Sequence, residues 1–407
     1  MNQTRHFAAR GPLIVDPATL AEDPHASFAE LRKNHALIQL GDGQYMALRA
    51  ENVLALLTDP RTMQIEGQDY VRLRGIPDGT TARLLRDFFL FANGDAHRSR
   101  RSLFARSFAH STMRNMQTEI RSVAHEIVAD LPRGTSFDFV ARMAARVPAE
   151  MIAVILGLPR ADAPYFASRV YELAPAVAPI YPIQDHQRIE EAAGQLFDYV
   201  GDHLADRLMS PRGDMLSSLV ASWQASQEIP FDSLVHQVLG IIIGGTNPTR
   251  AAFAMLVALL LEHPEQWAAV KADPGLIPGA VSEAMRFDPA VGSIPRFTTS
   301  DLEIGDITVP AGVAVLASTM SAMRDPALFD DPDRFDIRRD HPRLQPVFGN
   351  GPHRCIGEML ARLEMQEGLA ALIAAAPGIE LETSPRMTGF GGIRQITPMQ
   401  VCIREFQ

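Results

Sequence analysis

The chain has 407 residues, 46% of them hydrophobic and 21% charged, an ordinary globular composition with enough apolar material for a large core. A formal net charge of −10 argues against general nucleic-acid binding. The two cysteines, Cys355 and Cys402, are too few for a disulfide framework and fit a reducing cytoplasm. No run approaches about 18 unbroken apolar residues and the opening MNQTRHFAARGPLIVDPATL has no apolar h-region, so neither a membrane span nor a secretory signal is expected.

In chain order, DPHASFAELRKNH reads as a helix with Phe28 and Leu31 on one face, and IQLGDGQYMALR as a hairpin turning at Gly41, Asp42 and Gly43. ENVLALLTDP is a short helix ending near Pro60. Residues 61–93 are polar and weakly periodic and read mainly as loop. From 95 to 225 the pattern is helical, with breaks at Pro132-Arg133-Gly134, at Leu158-Pro159 and in the proline-rich stretch 174–182. Residues 232–262 form one long helical pattern that is apolar on all sides at its middle, so it should cross the interior. It contains Gly244, Gly245 and Pro248, poor residues for a helix centre. GAVSEAMRF follows as a helix, and DLEIGDITVPAGVAVLAST as short strands. A loop-rich stretch 324–354 leads into a last long helix at about 356–375, and IELE and MQVCIRE read as tail strands. No linker or internal repeat divides the chain. The expectation is a mainly α, single large domain over 1–407, with β structure at about 30–60 and a helical core at about 95–290 and 355–375.

The strongest local signal is Phe348-Gly349-Asn350-Gly351-Pro352-His353-Arg354-Cys355-Ile356-Gly357. A cysteine here follows a glycine-rich loop and opens a helix. Glycines allow close approach of backbone to a flat cofactor, and a helix N-terminus offers free N–H groups and positive potential that lower a thiol pKa.

This loop resembles the haem-ligand signature of cytochromes P450, F-G-x-G-x-H-x-C-x-G, at every fixed position. Further elements resemble the family in order along the chain. His97 and Arg101 match H-x-x-x-R, Glu283-Ala284-Met285-Arg286 matches E-x-x-R, Arg296 falls at a further family position, and Arg334 lies where the partner arginine of the E-x-x-R pair is expected. The resemblance implies the P450 fold with a long distal helix and small sheets. It implies a haem b ligated by Cys355, with Phe348, Gly349 and Gly357 in the cofactor loop. His97, Arg101, Arg296 and His353 would face the haem propionates, as buried carboxylates require cationic donors. Glu283, Arg286 and Arg334 would form a buried structural network.

The distal helix departs from the family pattern A/G-G-x-D/E-T. Here Gly244-Gly245-Thr246-Asn247-Pro248 places an amide at the acid position and proline at the threonine position, with Thr249 one residue later. An amide cannot shuttle protons as a carboxylate does. Pro248 leaves the carbonyl of Gly244 without its helical donor, which implies a kinked groove for oxygen and water. Thr246 or Thr249 is then the expected hydroxyl, in a relay completed by water or substrate.

The implied reaction is monooxygenation by O2 of a small or medium lipophilic substrate, terpenoid, fatty or aromatic. The alternatives are a haem-thiolate enzyme that uses peroxide or catalyses oxidative coupling or ring formation, and a non-catalytic haem sensor. Family analogy places substrate contacts at 70–90, at 174–183, at 241–249 (Ile241, Gly244, Gly245) and at 291–294 (Val291, Ser293, Ile294), with Phe390 as a further wall. Arg72 and Arg74 read as a carboxylate anchor or a solvated loop. Electrons would come from a ferredoxin and its reductase, steered by Arg98, Arg100, Arg106, Arg354 and Arg362.

Overall fold

The runs 37–40 and 45–47 form the expected hairpin, with Leu37, Ile38, Leu40, Met46 and Ala47 buried. In the computed structural model, which describes residues 11–41, 43–105, 107–177, 181–226, 228–342 and 345–404, Leu37–Leu40 pairs antiparallel with Tyr45–Ala47, with Ile38 opposite Met46. Asp42, expected in its turn, lies outside the described residues. This hairpin is the nucleus of a six-stranded sheet whose spatial order is Leu13–Val15, Leu37–Leu40, Tyr45–Ala47, Ala314–Ser318, Ser293–Thr298 and Thr62–Met63. Register along Ser293–Thr298 sets Arg296 opposite Val315 and Ser293 opposite Ser318. A second sheet joins the tail strands Ile379–Thr383 and Gln400–Ile403 to Ser136–Asp138.

Residues 61–93 are not mainly loop. They hold two eight-residue helices, Gly67–Arg74 and Thr80–Asp87, and a 3-10 turn at Phe89–Phe91. The second helix is capped from a distance: the Glu190 carboxylate accepts from the backbone N–H groups of Thr80 and Thr81, the latter at 3.0 Å. A cap supplied from the helix His186–Met209 satisfies orphan donors without leaving any local sequence signal.

The long helix spans Phe231–Glu262 and passes through Pro248 without interruption. Proline inside a helix costs about 3 kcal/mol. Burial outweighs it: Leu234, Val238, Ile242, Leu256 and Leu260 are fully buried, and each such side chain contributes roughly 1.5–3 kcal/mol. This central helix is long and apolar enough to cross a membrane, and its apolar window lies mostly inside the protein. The helices Ile277–Phe287 and Glu358–Ala375 pack with it, and the last helix begins two residues later than the sequence pattern suggested.

Candidate active site

The cysteine loop is built on its own backbone. Two short 3-10 turns, Pro346–Phe348 and Gly351–His353, fold it back, and the Cys355 N–H donates to the Phe348 carbonyl at 2.8 Å. Gly349 sits at φ 71° and ψ −174°, a region open essentially to glycine. Cys355 has accessible surface, and that surface belongs to an internal cavity of about 400 Å³ that it helps to line. Burial pushes its thiol up, against the lowering effects of the Gly357 N–H and the Arg101 and Arg354 guanidiniums. Burial thus outweighs the lowering expected from a helix N-terminus. Cys402, in the strand Gln400–Ile403, does not line the cavity.

Of the four residues expected to face the propionates, Arg101, Arg296 and His353 line the cavity, and His97 stacks on His353 behind them. The His97 and His353 rings stack with centroids 4.1 Å apart, and His97 Nε2 is buried with no hydrogen-bond partner. Arg101 donates to the Arg354 carbonyl at 2.6 Å. Arg296, 4% exposed, donates to Gln64 Oε1 at 2.9 Å. Burial lowers Arg296 to about 10. His353 falls to about 3 through burial first and then the charges of His97, Arg296 and Arg101. Among the described residues no carboxylate pairs with any of the four. Arg101, half-buried, and Arg296, buried, are cations without counter-ions, which is expensive, and burial favours the neutral form of His97 and His353 beside them, so this corner suits an anionic group that enters the cavity. Gln64 was not recognised in the sequence because its role depends on strand pairing with residues more than 200 positions away.

The central helix turns one face to this space. Ile241, Gly244, Gly245, Pro248, Thr249 and Ala252 line the cavity, a 3–4 residue spacing that marks one side of a helix. Thr246 and Asn247 do not line it. The Thr246 hydroxyl donates back to the Ile242 carbonyl at 2.5 Å. Asn247 accepts from Arg250 at 2.9 Å, and the Arg250 guanidinium lies 3.9 Å from the centroid of the Tyr171 ring. Of the four distal residues proposed for chemistry, the structure brings only Pro248 and Thr249 to the cavity.

Glu283 and Arg286 are fully buried and form a two-pronged ion pair at 2.7 and 2.9 Å. The expected third member is corrected. The Arg334 side chain is 64% exposed and points to Asp336; only its carbonyl joins, accepting from Arg286 at 3.1 Å. The side chains that complete the network are Arg339, 3.3 Å from Glu283 Oε1, and His341, 3.5 Å from Oε2. Arg334 lies on the outer side of the bend 323–339, whose carbonyls at Met323 and Pro332 take the remaining Arg286 donors. Arg334→Ala is accordingly expected to change stability by less than about 0.5 kcal/mol. Arg339→Ala removes a donor to a buried carboxylate and should cost about 1.5–3 kcal/mol. Urea unfolding of the two variants distinguishes these values, and equal effects would contradict the assignment.

Among expected substrate contacts, Val291, Ser293 and Ile294 line the cavity, as do Tyr70, Leu84, Leu85 and the run 88–91. From 174–183, Ala176 and Val177 line it, while residues 178–180 lie outside the described residues. Phe390 does not: it packs edge-on against Phe28, centroids 6.4 Å apart. The tail wall is instead Gly392 and Ile393, anchored by a bridge between Val291 and Ile393. Arg72 pairs with Asp69 and is 69% exposed, and Arg74 covers the Tyr70 ring at 5.7 Å. Neither lines the cavity. Of the basic residues near the cysteine loop, Arg98 is 70% exposed beside Asp95. Arg100 pairs with Asp87 at 2.7 Å, and Arg354 and Arg362 both pair with Glu358. Arg106 lies outside the described residues.

A family model described as Cytochrome P450 matches residues 276–375. The plant-inducible cytochrome P450-pinF1 of Rhizobium radiobacter is 36% identical over 392 residues, covering 96% of this chain and 92% of the relative. The chain belongs to the cytochrome P450 family. Nocardicin C N-oxygenase of Nocardia uniformis subsp. tsuyamanensis is 32% identical, over 91% of this chain and 92% of that protein. The solved structure of CxnD, a P450 for C–S bond formation in chuangxinmycin biosynthesis, superposes with a TM-score of 0.87 at 26% identity, covering 97% and 98% of the two chains. This P450 is an oxidoreductase of the monooxygenase type, and its family carries a haem with an axial cysteine thiolate on iron. The residues fit that group: Cys355 opens onto the cavity, and two arginines without carboxylate partners, Arg101 and Arg296, stand beside the hydrogen-bonding rings of His97 and His353, a set suited to two carboxylates.

Proposed function

We propose that this P450 inserts one oxygen atom from O2 into an uncharged, lipophilic small molecule (terpenoid, fatty or aromatic), with electrons delivered by a ferredoxin and its reductase. The observation that carries the substrate class is the lining. Away from the cationic corner the walls are Leu84, Leu85, Phe88, Leu173, Val177 and Ile243, and no cation lies among them. A charged substrate group there would lose its hydration without a partner, whereas an apolar body gains contact area.

When bound, the haem supplies oxygen activation and the oxidising power for attack on unactivated bonds. The chain's own residues hold and orient. Arg101, Arg296, His97 and His353 would bind its carboxylates, and Cys355 would hold its iron. Gly244, beside which no atom lies within 4 Å of an added Cβ, keeps the helix face open where oxygen and substrate must meet. Support for the ferredoxin is Arg98, exposed in the helix Gly94–Ala105 that also bears His97 and Arg101.

A second reading follows from Asn247. The central helix brings no acid to the cavity, which suits peroxide use or oxidative coupling, and the N-oxygenation and C–S bond formation named for two similar proteins show the family's range. Titration of the ferric holoenzyme with neutral lipophiles and with matched carboxylates and amines tests the substrate class. Neutral compounds should shift the spectrum; a shift with charged compounds alone overturns the reading. Product formation with reduced surrogate ferredoxin supports monooxygenation, and turnover on peroxide with none on ferredoxin establishes the second reading.

A further inference from the structure

The tail wall of the cavity is held by a residue that is not part of the lining. Gly392 and Ile393 line the cavity; Arg394, the next residue, does not, and is 3% exposed. The hairpin that carries them has a ladder of two residue pairs, Met387 with Ile396 and Thr388 with Gln395. So short a hairpin is not stable by itself, and contacts outside the ladder must place its loop. Arg394 supplies them. Its Nε donates to the Gly389 carbonyl at 2.9 Å, and one terminal nitrogen donates to the Met387 carbonyl at 2.9 Å. The other terminal nitrogen donates to the Pro289 carbonyl at 3.1 Å and to the Asp288 carboxylate.

One guanidinium therefore joins two segments 105 positions apart. Both segments are cavity wall: Pro289, Ala290 and Val291 from one, Gly392 and Ile393 from the other. Their backbones run together. The Arg394 N–H donates to the Ala290 carbonyl at 2.9 Å, the Gly292 N–H donates to the Gly392 carbonyl at 2.8 Å, and Val291 bridges to Ile393. The seam is close: a Cβ at Gly292 would stand 2.5 Å from the Phe390 carbonyl oxygen and 3.2 Å from Arg394 Cδ. Asp288 holds the fork from behind. Burial works to raise its carboxyl, yet the hydrogen bond from His25 at 2.9 Å and the charge of Arg394 keep it below the usual carboxylate range, so the pair is ionic. His25 lies in the helix Pro24–Asn34, which ties this wall to the N-terminal part of the chain.

We propose that Arg394 is a positioning residue: acting through Ile393, it fixes the depth of the cavity at the tail wall and so the length of the lipophile that fits. The inference rests on the reading of an uncharged, lipophilic substrate. A guanidinium presents its N–H groups in a rigid fork. Lysine keeps the charge beside Asp288 but is a point charge on a flexible stem, and it cannot hold the carbonyls of Met387, Gly389 and Pro289 together. In Arg394→Lys the loop at Gly392–Ile393 is released from 289–291 and the wall recedes. Gly292→Ala reaches the same seam independently. Gly292 is outside the lining, and its added Cβ forces the Phe390 carbonyl away while leaving the Arg394 charge in place.

The test is optical titration of the ferric, haem-loaded enzyme with straight-chain primary alcohols from hexanol to hexadecanol. Each buried methylene is worth about 4-fold in affinity, so wild type should bind one chain length best. In Arg394→Lys the preferred alcohol should lengthen by about two carbons or more, and affinity for the alcohol that wild type prefers should fall about 10-fold. The reduced, carbon-monoxide-bound spectrum should keep its thiolate signature. Gly292→Ala should move the preferred length in the same direction. A merely structural role weakens every alcohol alike, so a uniform fall with the preferred length unchanged overturns the proposal. Unchanged affinities, or a wild type with no preferred length, overturn it as well. Should Arg394→Lys fail to hold haem, Gly292→Ala carries the comparison; loss of haem in both variants shows that the seam serves folding and overturns the proposal. If wild type shifts with no alcohol at all, the neutral-substrate reading has failed instead.

Discussion

Cys355→Ala is expected to abolish ferredoxin-driven turnover and to remove the thiolate signature from the spectrum of the reduced, carbon-monoxide-bound protein. The loss should exceed the roughly 10²–10⁴-fold attributable to a single general acid, because the substitution deletes the metal's protein ligand rather than a helper. The fold should survive. The side chain faces the cavity and not the packed core, and the hydrogen bond from its backbone N–H to Phe348 is retained. Cys402→Ala is the control: that residue lies half-buried in a tail strand and should leave the spectrum untouched. An unaltered spectrum in Cys355→Ala would dissociate the sulfur from the cofactor.

The largest stability effect is expected at Glu283→Ala. Removing it strands the Arg286 guanidinium, which is wholly buried, and releases the Asp336 N–H that Glu283 accepts at 2.9 Å. Breaking one side of a buried ion pair costs about 3–5 kcal/mol, a large share of the roughly 5–15 kcal/mol typical of a whole protein. Replacing both Glu283 and Arg286 with leucine should not recover the loss. Arg286 also binds the carbonyls of Met323 and Pro332, and these would lose their donor; the Arg334 carbonyl would keep the one from Arg339. The bend that they pin leads directly into the cysteine loop, so haem retention should fall together with the urea midpoint. A Glu283→Ala variant within 1 kcal/mol of wild type, about the size of an ordinary surface-to-moderate change, would refute this account.

What was legible and what was not divide by range. The cysteine loop was readable because its chemistry is contiguous: ten residues carry the glycine conformations, the ligand and the start of the helix. His97 and Arg101 were readable as one turn of a helix. The helix Thr80–Asp87 is not legible locally because Glu190, 109 or more positions away, supplies a cap that its own sequence lacks, and Gly67–Arg74 has no side-chain cap at all. The sequence points to Arg334, whereas Arg339 makes the bond to Glu283, because local order cannot say which side of a bend faces inward. It points likewise to Phe390, whereas Ile393 lines the cavity.

The amino-acid order alone determined the thiol loop, the apolar central helix and its unusual Gly244–Thr249 run, since each depends on residues within a few positions of one another. Only the tertiary structure decided which side of that helix meets the cavity. Successive residues turn by about 100°, 3.6 to the turn, and as the helix docks against the helix at 146–156, Thr246 bonds the Ile242 carbonyl and Asn247 bonds Arg250 away from the cavity, while Pro248 and Thr249 line it. Facing is a property of how helices dock, set by burial summed over the whole core, and no short stretch of sequence contains it.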